Sequence, residues 1–162
     1  MLLDIISNKV ILREQAQLVV DRWKFKNEKI VFTNGCFDIL HRGHLEYLIQ
    51  AAALGHRLII GLNSDESVSR IKGPSRPVNK IDDRAFALAS LRFTDLIIPF
   101  EEDTPLELIE FIQPNILVKG GDYTIENIVG AKETLQRGGR VEVLSFKIGY
   151  STTSLIDKMK KG

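Results

Sequence analysis

The feature that most narrows the fold is a junction. The apolar run Ile30-Val31-Phe32 passes through a short polar turn and straight into an amphipathic stretch that ends at Leu54. A strand feeding a helix this way is the first half of a βαβ unit. The rest of the chain repeats it. Strand-like runs at Lys29–Thr33, Arg57–Leu62, Asp95–Phe100, Ile116–Lys119 and Val141–Phe146 alternate with helical patterns at 44–54, 82–92, 105–112 and 126–137. A helix over Arg13–Lys24 precedes the first strand, and another over Thr152–Lys160 follows the last. The alternation predicts an α/β fold, a Rossmann-like doubly wound sheet of about five parallel strands with helices on both faces. A length of 162 residues fits one domain, with 1–28 as a helical extension and 29–162 as the core.

Local signals sharpen some boundaries. Leu45, Leu48, Ile49 and Ala52 recur at helical spacing, and Gly55 is expected to stop that helix. Thr104-Pro105-Leu106-Glu107 reads as a capping box with proline at the first helical position. Ser64 to Ile81 is polar, holds Gly73, Pro74 and Pro77, and is expected to be a long functional loop.

In such sheets a ligand sits beyond the carboxyl ends of the strands, where strand order reverses. That edge collects Thr33–His44, Asn63–Arg76, Lys119–Tyr123 and Gly149–Thr153. His41 and His44 lie one turn apart at the start of the first core helix, with Gly43 between them. A helix start gathers unpaired N–H groups and a positive dipole end, so it attracts phosphate. Spacing alone leaves three roles for this pair: phosphate donors, a metal pair, or structural histidines. Cys36, His41, His44 and His56 are all the cysteine and histidine there is, a thin supply for zinc. Cys36 reads as a small packed hydrophobe rather than a reactive thiol. Lys72 and Arg76 stand in the long polar segment, where a solvated charge is the ordinary reading. Asp38 is either a ligand group or an Asx-type loop brace. Ser151 reads as an N-cap, a role compatible with phosphate contact.

Bulk properties set limits. A net charge of +1 gives no reason to expect a nucleic acid or an anionic membrane as partner. The single cysteine fits a reducing compartment. No apolar run approaches the roughly 20 residues of a membrane span. The first residues, MLLDIISNKVILREQ, lack a signal-peptide layout. The expected location is the cytoplasm.

The string Thr33 to His44, TNGCFDILHRGH, contains His-x-Gly-His. That motif marks the nucleotidyltransferase superfamily, which includes glycerol-3-phosphate cytidylyltransferase and the class I aminoacyl-tRNA synthetases. The longer string resembles a narrower group, the adenylyltransferase domain of bacterial ADP-heptose synthases. RIKGPSRPVN (70–79), FEEDTP (100–105), VKGGDY (118–123) and STTSLI (151–156) extend the resemblance over roughly residues 10 to 160. It implies transfer of AMP from ATP to heptose 1-phosphate, a step towards the lipopolysaccharide inner core. It implies His41, His44 and Lys72 as catalytic residues. Nucleotide contacts are implied for Asn34, Gly35, Cys36, Phe37, Gly43, Lys119, Gly121, Asp122, Gly149, Tyr150, Ser151, Thr152 and Thr153. Asp38 and Arg76 fall on the acceptor side. Mg²⁺ is expected to arrive on the ATP phosphates, with no protein metal site. A separate heptose kinase acts in trans, and a homodimer is expected. The cytidylyltransferase branch carries an arginine shortly before its Ser-Thr-Thr, whereas Phe146-Lys147-Ile148-Gly149-Tyr150 has none. Alternatives are a nucleotidyltransferase acting on glycerol phosphate, pantetheine phosphate or FMN, and a non-catalytic nucleotide-sensing module.

Overall fold

A computed structural model describes residues 1–145 and 149–161. Five strands form one parallel sheet: β1 (Ile30–Gly35), β2 (Arg57–Asn63), β3 (Leu96–Phe100), β4 (Ile116–Gly120) and β5 (Arg140–Leu144), in the order β3-β2-β1-β4-β5. The order reverses between β1 and β4, so a crevice opens above the carboxyl end of β1. The eight α-helices among the described residues are α1 (Leu2–Ser7), α2 (Arg13–Phe25), α3 (Arg42–Ala52), α4 (Asp65–Lys72), α5 (Ile81–Ala89), α6 (Leu106–Ile112), α7 (Ala131–Gln136) and α8 (Thr152–Lys161). The expected fifth strand reached Phe146, which lies outside the described residues.

Because the sheet is buried on both faces, its strands alternate between two cores. Phe32, Ile59 and Ile98 point towards α2, α6 and α7, where Trp23, Leu108 and Ile112 meet them. Val31, Ile60 and Ile97 point the other way, towards Leu48 and Ala51 of α3 and Leu88 of α5. Burial of such side chains contributes about 25 cal/mol per Å² of apolar surface. The N-terminal extension covers the β3 edge: Ile97 N–H donates to the Lys9 carbonyl at 2.8 Å, and Ile11 N–H donates to the Ile97 carbonyl at 3.1 Å. An edge strand so covered is shielded from pairing with other chains.

Several local expectations are corrected. Ser64–Ile81 is not one loop: its first half is α4, with Ser64 as N-cap accepting from Ser67 N–H at 3.1 Å. Its pattern is almost wholly polar, with Val68 the one large apolar side chain it buries, so hydrophobic periodicity could not reveal it. The buried stripe of α3 is Gly43, Tyr47, Leu48 and Ala51, while Ile49 is half exposed. Tyr47 takes the inward place because its hydroxyl finds Thr33 Oγ1 at 2.6 Å. Gly55 does not end α3, which stops at Ala52. A side chain at Gly55 would meet Val31 Cγ2 at 2.6 Å and the Lys29 carbonyl at 2.8 Å, so close packing requires the glycine. Thr104 makes no capping bond, and α6 starts after Pro105. The expected helix over 126–137 is a 3₁₀ turn (Ile125–Asn127) and then α7, broken at Gly130 by a φ of 81°.

Candidate active site

The β1–α3 turn builds the floor of the crevice. Phe37 sits in the left-handed region at φ 44°, uncommon for a bulky residue. Its buried ring lies edge-on to His44, with centroids 5.4 Å apart. It also crowds Gly35, where an added Cβ would stand 2.8 Å from the Phe37 ring. His41 is the N-cap of α3, its Nδ1 accepting from His44 N–H at 3.4 Å. That bond leaves the proton of the neutral ring on Nε2. The His41 and His44 rings stack, with centroids 3.8 Å apart and planes at 20°. Position 43 is tight: an added Cβ would stand 3.0 Å from Tyr150 Cβ and 3.1 Å from the His41 ring, so either side chain would have to shift slightly to admit it.

Burial lowers the His41 pKa. Burial and the neighbouring His41 push His44 down to about 4, and the Ile39 carbonyl opposes the shift from outside good hydrogen-bond geometry. His44 Nδ1 is buried and has no hydrogen-bond partner among the described residues. Both rings are therefore neutral near pH 7, beside a helix start. An anion seated there would favour their protonation and convert them into charged donors.

Lys119, at the end of β4, faces the same space. Its ammonium makes no ion pair among the described residues and lies 5.7 Å from the Tyr123 ring centroid. Burial lowers its pKa. A partly buried cation without a carboxylate is well suited to a phosphate. Ser151 caps α8, its Oγ accepting from Ser154 N–H at 3.0 Å, and Thr152 Oγ1 donates to the Ile39 carbonyl at 3.4 Å. The start of α8 thus rests against the β1–α3 turn.

Asp38 and Arg76 come together. The Asp38 carboxylate is buried and accepts from Arg76 Nε at 2.6 Å, Val78 N–H at 2.9 Å and Asn79 N–H at 2.9 Å. Burial alone would raise its pKa, but the two backbone donors and the guanidinium outweigh that and hold it below the usual carboxylate range. Of the two roles open to Asp38, the geometry displays the brace: it straps segment 76–79 to the β1–α3 turn. Lys72 is the last residue of α4 and stands exposed at the crevice rim. Burial is the main influence on Cys36, and it raises the thiol pKa, so the sulfur stays protonated.

These groups enclose a cleft of about 620 Å³. Asn34, Gly35, Cys36, Phe37, Asp38, His41 and His44 wall one side; Lys72 and Arg76, Lys119, and Tyr150 to Thr153 complete it. Gly43 does not line the cleft but sits beside His41 and Tyr150, which do. Gly121, Asp122 and Gly149 fall outside the walls. Gly121, at φ 113°, donates its N–H to the Leu144 carbonyl, which turns the chain so that Gly120 and Tyr123 face the cleft in place of Gly121 and Asp122.

Sequence reasoning missed Arg84. Its side chain is 1% exposed, yet it donates to the carbonyls of Cys36 (2.7 Å), Asn63 (2.9 Å) and Asn79 (3.0 Å) and to Asp65 Oδ1 (2.8 Å). One guanidinium joins four segments at the sheet's carboxyl edge. The signal was present: Arg84 falls with Ile81, Ala85 and Leu88 on the inward stripe of α5. Asn63, expected at this edge, lines the cleft, and Tyr47, Asp103, Thr104 and Asn127 line it without having been expected there.

Comparison with known proteins agrees with this geometry. The chain is 52% identical over 150 residues to the bifunctional protein HldE of Shewanella loihica, covering 93% of this chain and 32% of that one. It is 54% identical to HldE of Caulobacter vibrioides over 151 residues, covering 93% and 31%. The chain thus spans about a third of the length of these relatives. Among solved structures, a lipopolysaccharide core biosynthesis protein from Thermoplasma volcanium superposes with a TM-score of 0.59 at 25% identity, over 74% of this chain and 97% of that one. A pantoate-beta-alanine ligase from Francisella tularensis shares the fold at 15% identity, with a TM-score of 0.61 over 85% and 67%. Residues 32–158, which hold the strand-to-helix junction, the paired histidines and the start of α8, match the cytidylyltransferase-like family, and the chain belongs to that family.

Proposed function

We propose that this chain transfers AMP from ATP to heptose 1-phosphate, releasing pyrophosphate and giving ADP-heptose. The observation that carries the reading is the stacked His41–His44 pair at the α3 start, facing a cleft that also holds Lys119, which makes no ion pair among the described residues. The motif resemblance and the 52–54% identity to bifunctional HldE proteins support the choice of substrates.

The chemistry follows from charge and alignment. A phosphate oxygen of the sugar 1-phosphate attacks the α-phosphorus in line with the departing pyrophosphate. One P–O bond forms as the Pα–O–Pβ bond breaks. The attacking oxygen is already anionic near neutral pH, so no general base is required. His41 and His44 donate hydrogen bonds to the phosphates, while Lys119 and Lys72 neutralise charge on the triphosphate. Mg²⁺ enters with ATP, held by phosphate oxygens and water. Among the described residues no group of three or more His, Cys, Asp or Glu could hold a metal ion. A kinase activity supplies the sugar 1-phosphate, and the chain works as a homodimer in the cytoplasm. No described helix is long and apolar enough to cross a membrane.

The test is nucleotide choice with one acceptor. With heptose 1-phosphate, kcat/KM for ATP is expected to exceed that for CTP by at least about tenfold. A better rate for CTP with glycerol 3-phosphate overturns the substrate assignment. Tight ATP binding without pyrophosphate release from any sugar phosphate points to a sensor instead.

A further inference from the structure

Phe100 to Pro105 is one of the five motif strings, yet the transfer chemistry gives it no task. The segment links β3 to α6, and two arginines from different helices hold it. Arg13, the first residue of α2, pairs with the Glu102 carboxylate, and its Nη1 reaches Glu107 at 3.4 Å. Arg70 of α4 donates from Nε to Asp103 Oδ1 at 2.8 Å and from Nη2 to the Glu101 carbonyl at 2.6 Å. Glu102 Oε2 also accepts from the Glu101 N–H at 3.0 Å, which fixes the carboxylate that Arg13 holds. Arg13 belongs to the N-terminal extension and lies outside residues 32–158. A side chain from beyond the family's shared region therefore reaches a loop of the cleft.

The clamped loop turns Asp103, Thr104 and Pro105 into the cleft wall, which also holds Lys72 and Arg76. The Thr104 hydroxyl has no partner, and Asp103 uses only Oδ1, among the described residues. A hydroxyl that both donates and accepts, beside a carboxylate oxygen that accepts, suits a ring bearing several hydroxyl groups. We propose that this loop receives the hydroxyls of the acceptor sugar and that Arg13 is the positioning residue that holds it in place. This rests on the reading of the acceptor as a sugar phosphate. Small displacements of such a wall misalign the attacking oxygen, which gives the ion pairs that hold the loop a catalytic purpose.

Arg13→Gln, Arg13→Lys and Thr104→Val in the full chain test the idea. Arg13→Gln is expected to raise KM for the sugar phosphate about fivefold or more and leave KM for ATP and Tm near the parent values. Arg13→Lys recovers most of the loss. Thr104→Val raises the acceptor KM alone. A fall in Tm with both KM values unmoved, or equal changes in both, would show Arg13 to be a fastener of the extension and overturn the proposal. Amide hydrogen exchange without substrate supplies the second measurement. Exchange at residues 101–106 is expected to quicken in Arg13→Gln, and unchanged exchange removes the strut whatever the acceptor. A parent enzyme that turns over only acceptors without a sugar ring overturns the hydroxyl role and the sugar reading together, while the exchange data still decide the strut.

Discussion

His41 and His44 illustrate how one position serves local structure and chemistry together. His41 caps α3 through Nδ1, which directs its remaining N–H elsewhere, and His44 stacks against it with a buried nitrogen unpartnered among the described residues. Replacing either with Ala is expected to cut turnover by roughly 10²–10³, the usual effect of losing one donor to developing charge. Steady-state rates with circular dichroism as a fold control check this; near-normal turnover in either variant would remove the pair from the mechanism. The low pKa of His44 has a further consequence. Its folded value of about 4 lies below the ordinary histidine value, so the unfolded chain binds the proton more readily. The stability from a neutral His44 is complete above the ordinary value and is lost as pH falls towards about 4. Thermal melts of the ligand-free protein across that window are expected to flatten in His44→Asn. Binding of ATP raises the pKa of both rings and should take up protons, visible as a buffer-dependent binding enthalpy. Equal enthalpies in buffers of different ionisation heat would contradict it.

At the scale of elements, the carboxyl edge of the sheet is assembled by charged groups reaching between segments. Asp38 straps 76–79 to the β1–α3 turn, and Arg84 joins that turn to β2 and α4. The part of Ser64–Ile81 free to move on nucleotide binding is accordingly the last residues of α4 beyond the tethered Arg70 and the turn after it, Ile71 to Ser75. Tryptic cleavage after Lys72 is expected to slow several-fold at saturating ATP and Mg²⁺. Equal rates with and without nucleotide would show that Lys72 does not close onto the triphosphate. Legibility from sequence divides along the same line. All five strands and most helices could be read because their apolar residues repeat with the right period. α4 could not, because it buries little besides Val68 and Ser67. The paired histidines were readable as a motif at a helix start. The links Asp38–Arg76, Arg84–Cys36 and Arg13–Glu102 span 38, 48 and 89 residues, and no local pattern encodes a partner at that distance.

On the scale of the whole molecule, strand order places the crevice and the loops supply its chemistry. β1 stands where the order reverses, and the paired histidines, Lys119 and the start of α8 converge above it. The N-terminal extension seals the β3 edge and sends Arg13 to Glu102, next to the residues 103–105 that line the same cleft. The most direct measurement follows the label. With α-phosphate-labelled ATP, Mg²⁺ and heptose 1-phosphate, label is expected in ADP-heptose in step with unlabelled pyrophosphate, and His44→Ala should abolish nearly all of it. Label that stays in ATP, or that leaves as free AMP with no sugar nucleotide formed, would contradict the account.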